Sequence, residues 1–393
     1  MTETTSDLLL HLVDQVPLGN PRRGKYALIT HQHLLPSVVP MFDFLTERLV
    51  EPEATYVLGK PYSTIDGVTK TLEARGIRVI PNRERYTRGQ YSTDIAEDVN
   101  SLWDCFLRDN DPDSFERILI IDEGGYLAGS VPKPICHKAV AIEQTASGSF
   151  VDKQSKVPVI QVALSAAKRV FESPFIGRSI WQRFIEENQT HNCSVGVIGL
   201  GTIGREVAIQ ALNSGFQVSG YDINDTWIYE NKRYHLESSA ADLMRNSDVI
   251  FGCTGVDCFA GITLPPIDDF TKTIISGSSG DIEFRALLGD AQRTSLDRLL
   301  DDVVADLRPD WKILNGGFPY NFNRQSELES ISDIMLTRSL IIAGVAQAAK
   351  TTIESAIRIP LDAEVQRSIV RNWMENGNDD LEENLQWWIH HSE

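Results

Sequence analysis

Short apolar runs alternate with amphipathic segments along most of the chain. The first three runs, 25–30, 55–58 and 77–80, are each followed by a segment with helical spacing, and the alternation continues to about residue 314. Buried parallel strands have continuous apolar sequences, and crossover helices connect them. The pattern predicts an α/β fold with parallel sheets, in which ligands bind at the carboxyl ends of strands.

The predicted elements have approximate bounds. Strands are expected at 25–30, 55–58, 77–80, 118–121, 140–143, 157–162, 195–198, 216–221, 248–253, 273–275 and 311–314. Helices are expected at 37–50, 63–75, 92–107, 175–187, 202–213, 336–356 and 364–373, and one more helix carries Lys168.

A chain of 393 residues exceeds the size at which one core stops growing, so two domains are expected. We predict a substrate domain in residues 1–172, to which 345–393 return, because the long helix after Leu336 has nowhere else to end. Residues 173–192 form a linking helix, and 193–340 form a Rossmann domain inserted between the two parts. The expected architecture is two-lobed, with the cleft between the lobes.

The most specific motif is Gly199-Leu-Gly201-Thr-Ile-Gly204, between a β-branched strand and a helix. In a dinucleotide site the first glycine makes the tight turn, the second lets the backbone approach a pyrophosphate, and the third lets the helix pack on the strand. The pyrophosphate binds N–H groups at the start of the helix, which here begins with Thr202 and Ile203. A glycine-rich turn without a ligand is the alternative.

Asp222 ends the next strand, roughly 20 residues beyond the glycines, where a carboxylate accepts hydrogen bonds from both ribose hydroxyls of an adenosine half. The same carboxylate repels a 2′-phosphate. The sequence therefore predicts NAD rather than NADP as the cofactor.

Composition narrows the partners. Lys and Arg total 37 against 55 Asp and Glu, for a formal net charge of −18, which disfavours nucleic acid. Residues 1–16 lack the basic-then-apolar order of a signal peptide, and no apolar run approaches about 18 residues. We expect a cytoplasmic protein without a membrane partner. Five scattered cysteines, with Cys253 and Cys258 not spaced as zinc ligands, predict neither a disulfide framework nor a metal site.

Further short motifs follow one another in a set order: Asp122-Glu123-Gly124-Gly125, Gln144-Thr145, Lys168 with Glu172, Thr254-Gly255 and Asn315. With the glycine motif, this order is similar to S-adenosylhomocysteine hydrolase over roughly residues 25–370. In that family, bound NAD⁺ oxidises the 3′-hydroxyl of the nucleoside to a ketone, the thiol leaves by elimination, water adds and the hydride returns. The resemblance implies an NAD-dependent enzyme with a small-molecule substrate and a homo-oligomeric assembly.

The resemblance also implies roles by position. Lys168 falls on the family's active-site lysine, Glu172 replaces its aspartate, His33 falls on the substrate-side histidine and Glu123 on the acid–base aspartate. An i,i+4 pair shares one helix face, so Glu172 can hold and tune the Lys168 ammonium for proton transfer at a carbinol. A surface ion pair is the alternative for these two residues.

Three strands of the predicted Rossmann domain end in small polar residues that can all line one cofactor cleft. These residues include Thr254, Gly255, Ser278 and Asn315. The resemblance places Thr254 and Asn315 nearer the nicotinamide.

The chain also departs from the family. Leu35 and Ser37 occupy the positions of a threonine and a glutamate that contact adenine. Gln144 replaces a catalytic glutamate and cannot ionise, and Phe322 stands at the position of a histidine. The hydride end of the site is kept, whereas the adenosine end is rebuilt.

Three functions are consistent with this pattern. The first is an enzyme that oxidises a substrate hydroxyl with bound NAD, on a substrate other than S-adenosylhomocysteine. The second is an S-adenosylhomocysteine hydrolase with a remodelled pocket. The third is a catalytically silent NAD-binding sensor or assembly protein, which has no need of a tuned lysine such as Lys168.

Overall fold

The structure is a computed structural model. It describes residues 5–18, 24–146, 155–188, 193–224, 234–263, 271–289, 293–306, 308–353 and 358–375. Contacts within the chain divide it into two compact units. The first unit comprises Met1–Asn82, Ile95–Glu172 and Arg324–Glu393, and the second comprises Arg83–Asp94 and Ser173–Asn323.

These bounds differ from the expected ones at three places. The short segment Arg83–Asp94 belongs to the second unit although its neighbours on both sides belong to the first. The helix expected as a linker belongs to the second unit, and the chain returns to the first unit at Arg324 rather than near 345.

Strands and helices are numbered along the whole chain. The first unit contains strands β1 (Tyr26–Gln32), β2 (Thr55–Gly59), β3 (Arg78–Ile80), β5 (Arg117–Asp122), β6 (Ala139–Glu143), β7 (Val159–Gln161) and β16 (Arg358–Pro360). The second contains β4 (Arg85–Thr87), β8 (Ser194–Ile198), β9 (Gln217–Tyr221), β10 (His235–Leu236), β11 (Val249–Gly252), β12 (Lys272–Ser276), β13 (Arg293–Ser295), β14 (Val303–Ala305) and β15 (Arg308–Ile313).

The α-helices are α1 (Thr5–Leu12), α2 (Val38–Arg48), α3 (Asp66–Ala74), α4 (Tyr91–Asp109), α5 (Tyr126–Ser130), α6 (Ser173–Asn188), α7 (Thr202–Asn213), α8 (Ala240–Asn246), α9 (Ile331–Lys350) and α10 (Ala363–Glu375). Short 3₁₀ turns lie at Pro52–Ala54, Pro112–Ser114, Lys133–Lys138, Arg285–Leu287, Leu296–Arg298 and Leu314–Gly317, and Lys168–Glu172 forms a π-helical turn.

The sheet of the first unit has the order β16-β7-β6-β5-β1-β2-β3, and all of its pairings are parallel. Strand order therefore reverses between β1 and β5. In open α/β sheets, ligands bind at such a switch point, outside the carboxyl ends of the strands. A ligand site is therefore expected at the residues that follow β1 and β5.

Helix α9 belongs to the core of the first unit. Gly344 lets it approach the sheet, since a Cβ there would lie 2.7 Å from Val162 Cγ2 and 2.8 Å from Ile142 Cγ2. Among the described residues, α9 is the one helix long and apolar enough to cross a membrane, but 78% of its most apolar window is buried inside the chain. Its apolar character is thus accounted for by packing within the unit.

The sheet of the second unit has the order β10-β9-β8-β11-β12-β15-β14. Its pairings are parallel except for β14, which runs antiparallel to β15. From β10 to β15 this is the Rossmann order 3-2-1-4-5-6, with the switch point between β8 and β11. The predicted α/β class with parallel sheets is confirmed.

Several elements differ from their sequence predictions. Helix α9 begins at Ile331, because the Ser330 hydroxyl caps it by accepting from the Asp333 N–H at 3.1 Å. It ends at Lys350, and part of its predicted last turn, 354–356, lies outside the described residues. The sequence pattern did not predict α1, or the antiparallel pair of β4 and β13.

Candidate functional site

His33 and Glu123 meet at the switch point of the first sheet. His33 follows β1, Glu123 follows β5, and His33 Nε2 lies 2.5 Å from Glu123 Oε1. A carboxylate only accepts, so Nε2 carries the ring proton. His33 Nδ1 then accepts from the Ser63 hydroxyl at 2.6 Å. Burial lowers the pKa of His33 to about 4, although Glu123 acts to raise it, and the ring is neutral at physiological pH.

Lys60 is a second partner of Glu123. Its side chain is 2% exposed, and Nζ lies 2.8 Å from Glu123 Oε1 and donates to the Tyr62 hydroxyl at 3.1 Å. Burial by itself would lower the pKa of Lys60, but Glu123 and Tyr62 raise it above its usual range. Burial would likewise raise the pKa of Glu123, but His33 and Lys60 hold it well below its usual range. The site therefore holds a buried ammonium, a carboxylate and a neutral imidazole.

Other polar groups extend this cluster along the ends of β1, β5 and β6. Gln144 Nε2 donates to Glu123 Oε2 at 3.2 Å and to Gln32 Oε1. Glu143 accepts from the N–H groups of Gly124, Gly125 and Thr145, so it shapes the loop that carries Glu123. Gln144, which replaces an ionisable residue of the similar family, is a donor to the central carboxylate.

His31 lies in β1 and is fully buried. Its ring is edge-on to that of Tyr126, with ring centroids 5.8 Å apart. Burial and the nearby Lys60 lower its pKa to about 3. Two neutral histidines thus flank the buried Lys60–Glu123 ion pair.

The predicted pair Lys168 and Glu172 is formed. Lys168 Nζ lies 2.7 Å from Glu172 Oε2, within the π-helical turn. The Thr337 hydroxyl of α9 donates to Glu172 Oε1 at 2.9 Å, and both members of the ion pair are largely buried, with 12% and 7% of their side chains exposed. This pair is not a surface ion pair.

Ser37, at the start of α2, has two partners from the last part of the unit. Its N–H donates to Glu327 Oε2 at 2.9 Å, its hydroxyl contacts Glu327 Oε1, and Arg338 Nε donates to its Oγ at 2.9 Å. The guanidinium of Arg338 is 3.6 Å from the Glu327 carboxylate, and both side chains are 4% exposed. Ser37, at the position that contacts adenine in the similar family, is therefore engaged by a buried ion pair of this chain.

The glycine loop of the second unit has the geometry of a phosphate cradle. Gly199 has φ +88°, and a Cβ at Gly204 would lie 1.9 Å from the Gly199 carbonyl oxygen, so only glycine fits at both positions. A Cβ at Gly201 would meet nothing within 4 Å, which leaves its backbone open to a ligand. Gly201 is also the N-cap of α7, whose first turn contains Thr202 and Ile203. These residues fit a dinucleotide pyrophosphate.

Asp222 follows β9 and is tied to the same loop. Its Oδ2 accepts from the Leu200 N–H at 2.6 Å and its Oδ1 from the Asn224 N–H at 2.8 Å. Each carboxylate oxygen retains acceptor capacity for a ribose hydroxyl. The glycine loop and Asp222, the residue predicted to bind the ribose hydroxyls, are thus held together.

Thr254, Gly255 and Ser278 are held together by Glu283. Thr254 donates to Glu283 Oε1 through its N–H and its hydroxyl, at 2.9 and 2.7 Å, and the Gly255 N–H donates to Oε2 at 2.9 Å. The Gly255 N–H also donates to the Ser278 hydroxyl at 3.0 Å. The ends of β11 and β12 are therefore joined around one buried carboxylate.

Asn315 is held within its own loop. It adopts φ 55°, and its amide donates to the Pro319 and Phe322 carbonyls at 3.0 and 3.1 Å. The side chain fixes the loop after β15.

Sequence reasoning missed Lys60, Ser63, Glu143 and Glu283. Lys60 follows β2 directly, so the rule that drew attention to His33 also applies to it. Glu283 lies seven residues beyond β12, and no local pattern predicts its contact with Thr254. Among the described residues, no group of three His, Cys, Asp or Glu side chains could hold a metal ion.

Residues 160–256 match the family model described as D-isomer specific 2-hydroxyacid dehydrogenase, NAD binding domain. This segment contains β8, the glycine loop, Asp222 and Thr254. NAD is the cofactor of this chain. The match supports an NAD-dependent oxidoreductase, and it covers about a quarter of the sequence.

The chain is also similar to an uncharacterized protein of Mycobacterium tuberculosis, found in two strains, with 28% identity over 347 residues, which is 86% of this chain and 67% of the relative. Among solved structures, a dipicolinate synthase polypeptide from Bacillus halodurans is 12% identical, with a TM-score of 0.38, over 67% of this chain and 86% of that chain. D-Lactate dehydrogenase from Aquifex aeolicus, complexed with NAD and lactic acid, is 16% identical, with a TM-score of 0.31, over 67% and 72%.

Proposed function

We propose that this protein is an NAD-dependent oxidoreductase that acts on a carbinol hydroxyl of a small molecule other than S-adenosylhomocysteine. The observation that carries the proposal is the hydrogen-bonded cluster of His33, Glu123 and Lys60 at the switch point of the first sheet. The match of residues 160–256 to the NAD-binding domain of a hydroxyacid dehydrogenase family supports the same class of reaction.

In such a reaction the dinucleotide, which the glycine loop and Asp222 would hold, would supply the hydride acceptor for the carbinol carbon. The chain itself must remove the hydroxyl proton. Lys168 is our candidate for this step, because Glu172, itself held by the Thr337 hydroxyl, fixes the Lys168 ammonium group, and a lysine that loses its proton is a general base.

His33 is a positioning group and a proton relay in this proposal. Its Nδ1 accepts from Ser63 and its Nε2 donates to Glu123, so a proton gained at Nδ1 would produce an imidazolium that Glu123 stabilises. Glu123 is ionised, so it acts as an acceptor rather than as an acid.

The contacts of Ser37 argue against a nucleoside substrate of the usual kind. Its N–H and hydroxyl are both engaged by Glu327, and Leu35 is buried and has no polar side-chain group. Adenine recognition needs paired hydrogen-bonding groups, and unpaired buried polar groups cost about 1–3 kcal/mol each. Homocysteine release from S-adenosylhomocysteine is therefore expected to be negligible.

A substrate screen tests the function. The small molecules carried by the purified protein are identified by mass spectrometry, and NADH absorbance is then followed with a panel of 2-hydroxy acids, sugar alcohols and nucleosides. We expect reduction of NAD⁺ by at least one non-nucleoside hydroxyl compound. Family-like homocysteine release, or bound NAD without oxidation of any panel member, contradicts the proposal, and the latter favours a silent NAD-binding protein.

A matched pair of variants links the activity to the cluster. His33→Asn removes the relay, whereas His137→Asn changes an exposed histidine of the same unit. We expect the first variant to lose most activity and the second to keep it.

A further inference from the structure

Glu283 is a buried carboxylate surrounded by neutral donors. It is fully buried, and its oxygens accept from the Thr254 N–H, the Thr254 hydroxyl and the Gly255 N–H. Burial raises the pKa of Glu283 above its usual value, and the hydrogen bonds from Thr254, Gly255 and Ser278 favour the ionised form and oppose that rise. The contacts are those of a carboxylate anion.

No positively charged side chain of the described residues forms an ion pair with Glu283. A buried charge is costly unless it is paired, and hydrogen bonds from neutral groups compensate only part of that cost. A cationic ligand near Glu283 would complete the compensation.

The position of Glu283 identifies such a ligand. Its carboxylate holds the residues just after β11, and this segment contacts the glycine loop, since a Cβ on Gly199 would lie 2.7 Å from the Cys253 carbonyl oxygen and 2.9 Å from Thr254 Cγ2. Asp222 lies on the β9 side of that loop. A dinucleotide that binds across this switch point would place its adenosine half over β9 and its nicotinamide half over the ends of β11 and β12.

The nicotinamide ring is positively charged in NAD⁺ and neutral in NADH. We propose that the buried carboxylate of Glu283 sets the preference of this site for the oxidised cofactor. Glu283 acts through electrostatic attraction to the ring and through the loop that it holds, and it is a positioning residue. The inference rests on NAD binding and not on the identity of the substrate.

The test compares dissociation constants measured by calorimetry on the full chain, freed of bound dinucleotide. The ligands are NAD⁺, NADH and ADP-ribose, which lacks the nicotinamide ring. Glu283→Gln removes the charge and keeps the shape. Asp248→Asn is the matched control, because Asp248 also accepts from a backbone N–H, that of Ser194 at 2.8 Å, but lies at the opposite end of β11.

We expect Glu283→Gln to weaken NAD⁺ binding about tenfold relative to NADH binding, which corresponds to ~30 mV in the potential of the bound two-electron couple. The affinity for ADP-ribose stays the same in this variant. Asp248→Asn changes neither the ratio of the NAD⁺ and NADH dissociation constants nor the affinity for ADP-ribose. Equal weakening of NAD⁺ and NADH would mean that Glu283 only shapes the loop, and it would overturn the proposal.

The unmodified protein provides a second test that does not depend on the folding of the variant. It is expected to bind NAD⁺ more tightly than NADH, and equal or tighter binding of NADH overturns the inference. Because no substrate is used, failure of the substrate screen leaves this result unaffected.

Discussion

His33 Nε2 and Glu123 Oε1 are 2.5 Å apart and join the residues that follow the two strands flanking the switch point of the first sheet. Lys60 reaches the same carboxylate oxygen from the end of β2. Three neighbouring strands thus contribute one charged or polar group each to a single buried centre. Their mutual dependence has consequences for stability and activity.

The buried pair of Lys60 and Glu123 is expected to be strongly coupled. Glu123→Gln leaves the Lys60 ammonium buried without a counter-charge, which costs roughly 3–5 kcal/mol in the free energy of unfolding. Lys60→Met together with Glu123→Gln removes both charges and is expected to cost less than the sum of the single changes. Urea unfolding of the four proteins measures the coupling, and strictly additive effects contradict it.

Lys168 is expected to matter for turnover but not for cofactor binding. With a substrate from the screen, Lys168→Met should lower turnover by ~10²-fold or more, a usual share for a general base, while NAD affinity is kept. Lys138→Met is the control, because Lys138 pairs with exposed Asp113 elsewhere in the same unit. Equal activity of the two variants would remove Lys168 from the mechanism.

Substitutions at two glycines of the glycine loop should distinguish an effect on folding from an effect on NAD binding. Gly204→Ala places a Cβ 1.9 Å from the Gly199 carbonyl oxygen and is expected to destabilise the second unit. Gly201→Ala meets no atom within 4 Å, so its melting temperature should stay close to that of the unmodified protein while NAD binding weakens about tenfold or more. Thermal melts with and without NAD distinguish these outcomes.

Asp222 is expected to select NAD over NADP. Asp222→Asn keeps an acceptor for the Leu200 N–H and removes the charge that repels a 2′-phosphate. The variant should therefore narrow the difference between the NAD⁺ and NADP⁺ dissociation constants, and Asp222→Ala should weaken NAD⁺. Calorimetry that shows tighter NADP⁺ binding to the unmodified protein would refute this assignment.

Asp281 predicts a pH dependence of stability. Burial raises its pKa from 3.8 to about 6, although the Gly89 N–H at 2.6 Å acts to lower it. The folded state therefore binds the proton more tightly than the unfolded state does. The stabilisation is present in full below about pH 3.8 and is lost as pH rises to about 6, a change of roughly 3 kcal/mol.

The Asp281→Asn variant carries an amide at this position, and an amide does not titrate in this pH range. The unfolding free energy of the unmodified protein minus that of the variant should fall between about pH 4 and pH 6, as measured by urea unfolding across that range. A constant or rising difference would show that the carboxyl is not protonated in this window.

Local pattern was sufficient for much of the fold. The apolar run at β8, the three glycines and the acidic residue after β9 are close in sequence, and each has one steric or electrostatic role. Helix α7 therefore has the predicted bounds, Thr202–Asn213. The resemblance implies His33 and Glu123 as separate site residues and Lys168 with Glu172 as a pair. The contact between His33 and Glu123 follows from two strand ends that a parallel sheet brings together.

Long-range contacts were not predictable in this way. Pairing of β4 with β13 joins residues more than 200 positions apart, and three-residue strands carry no clear alternation. The Glu327–Ser37 contact is also long-range. It depends on the tertiary position of the segment that precedes α9, which lies against the start of α2, and no local pattern indicates that position. Nothing in the local sequence distinguishes Glu283 from an exposed charged residue, because its contacts form only when the ends of β11 and β12 lie together.

The excursion of Arg83–Asp94 affects how the second unit can be produced alone. A gene fragment that encodes only residues 173–323 lacks β4, and β13 then exposes the edge that pairs with β4 in the full chain. It also lacks the Gly89 N–H that binds Asp281. Unpaired strand edges promote aggregation, so poor solubility of that fragment would reflect the missing segment, and fusing residues 83–94 through a flexible linker is the remedy to attempt.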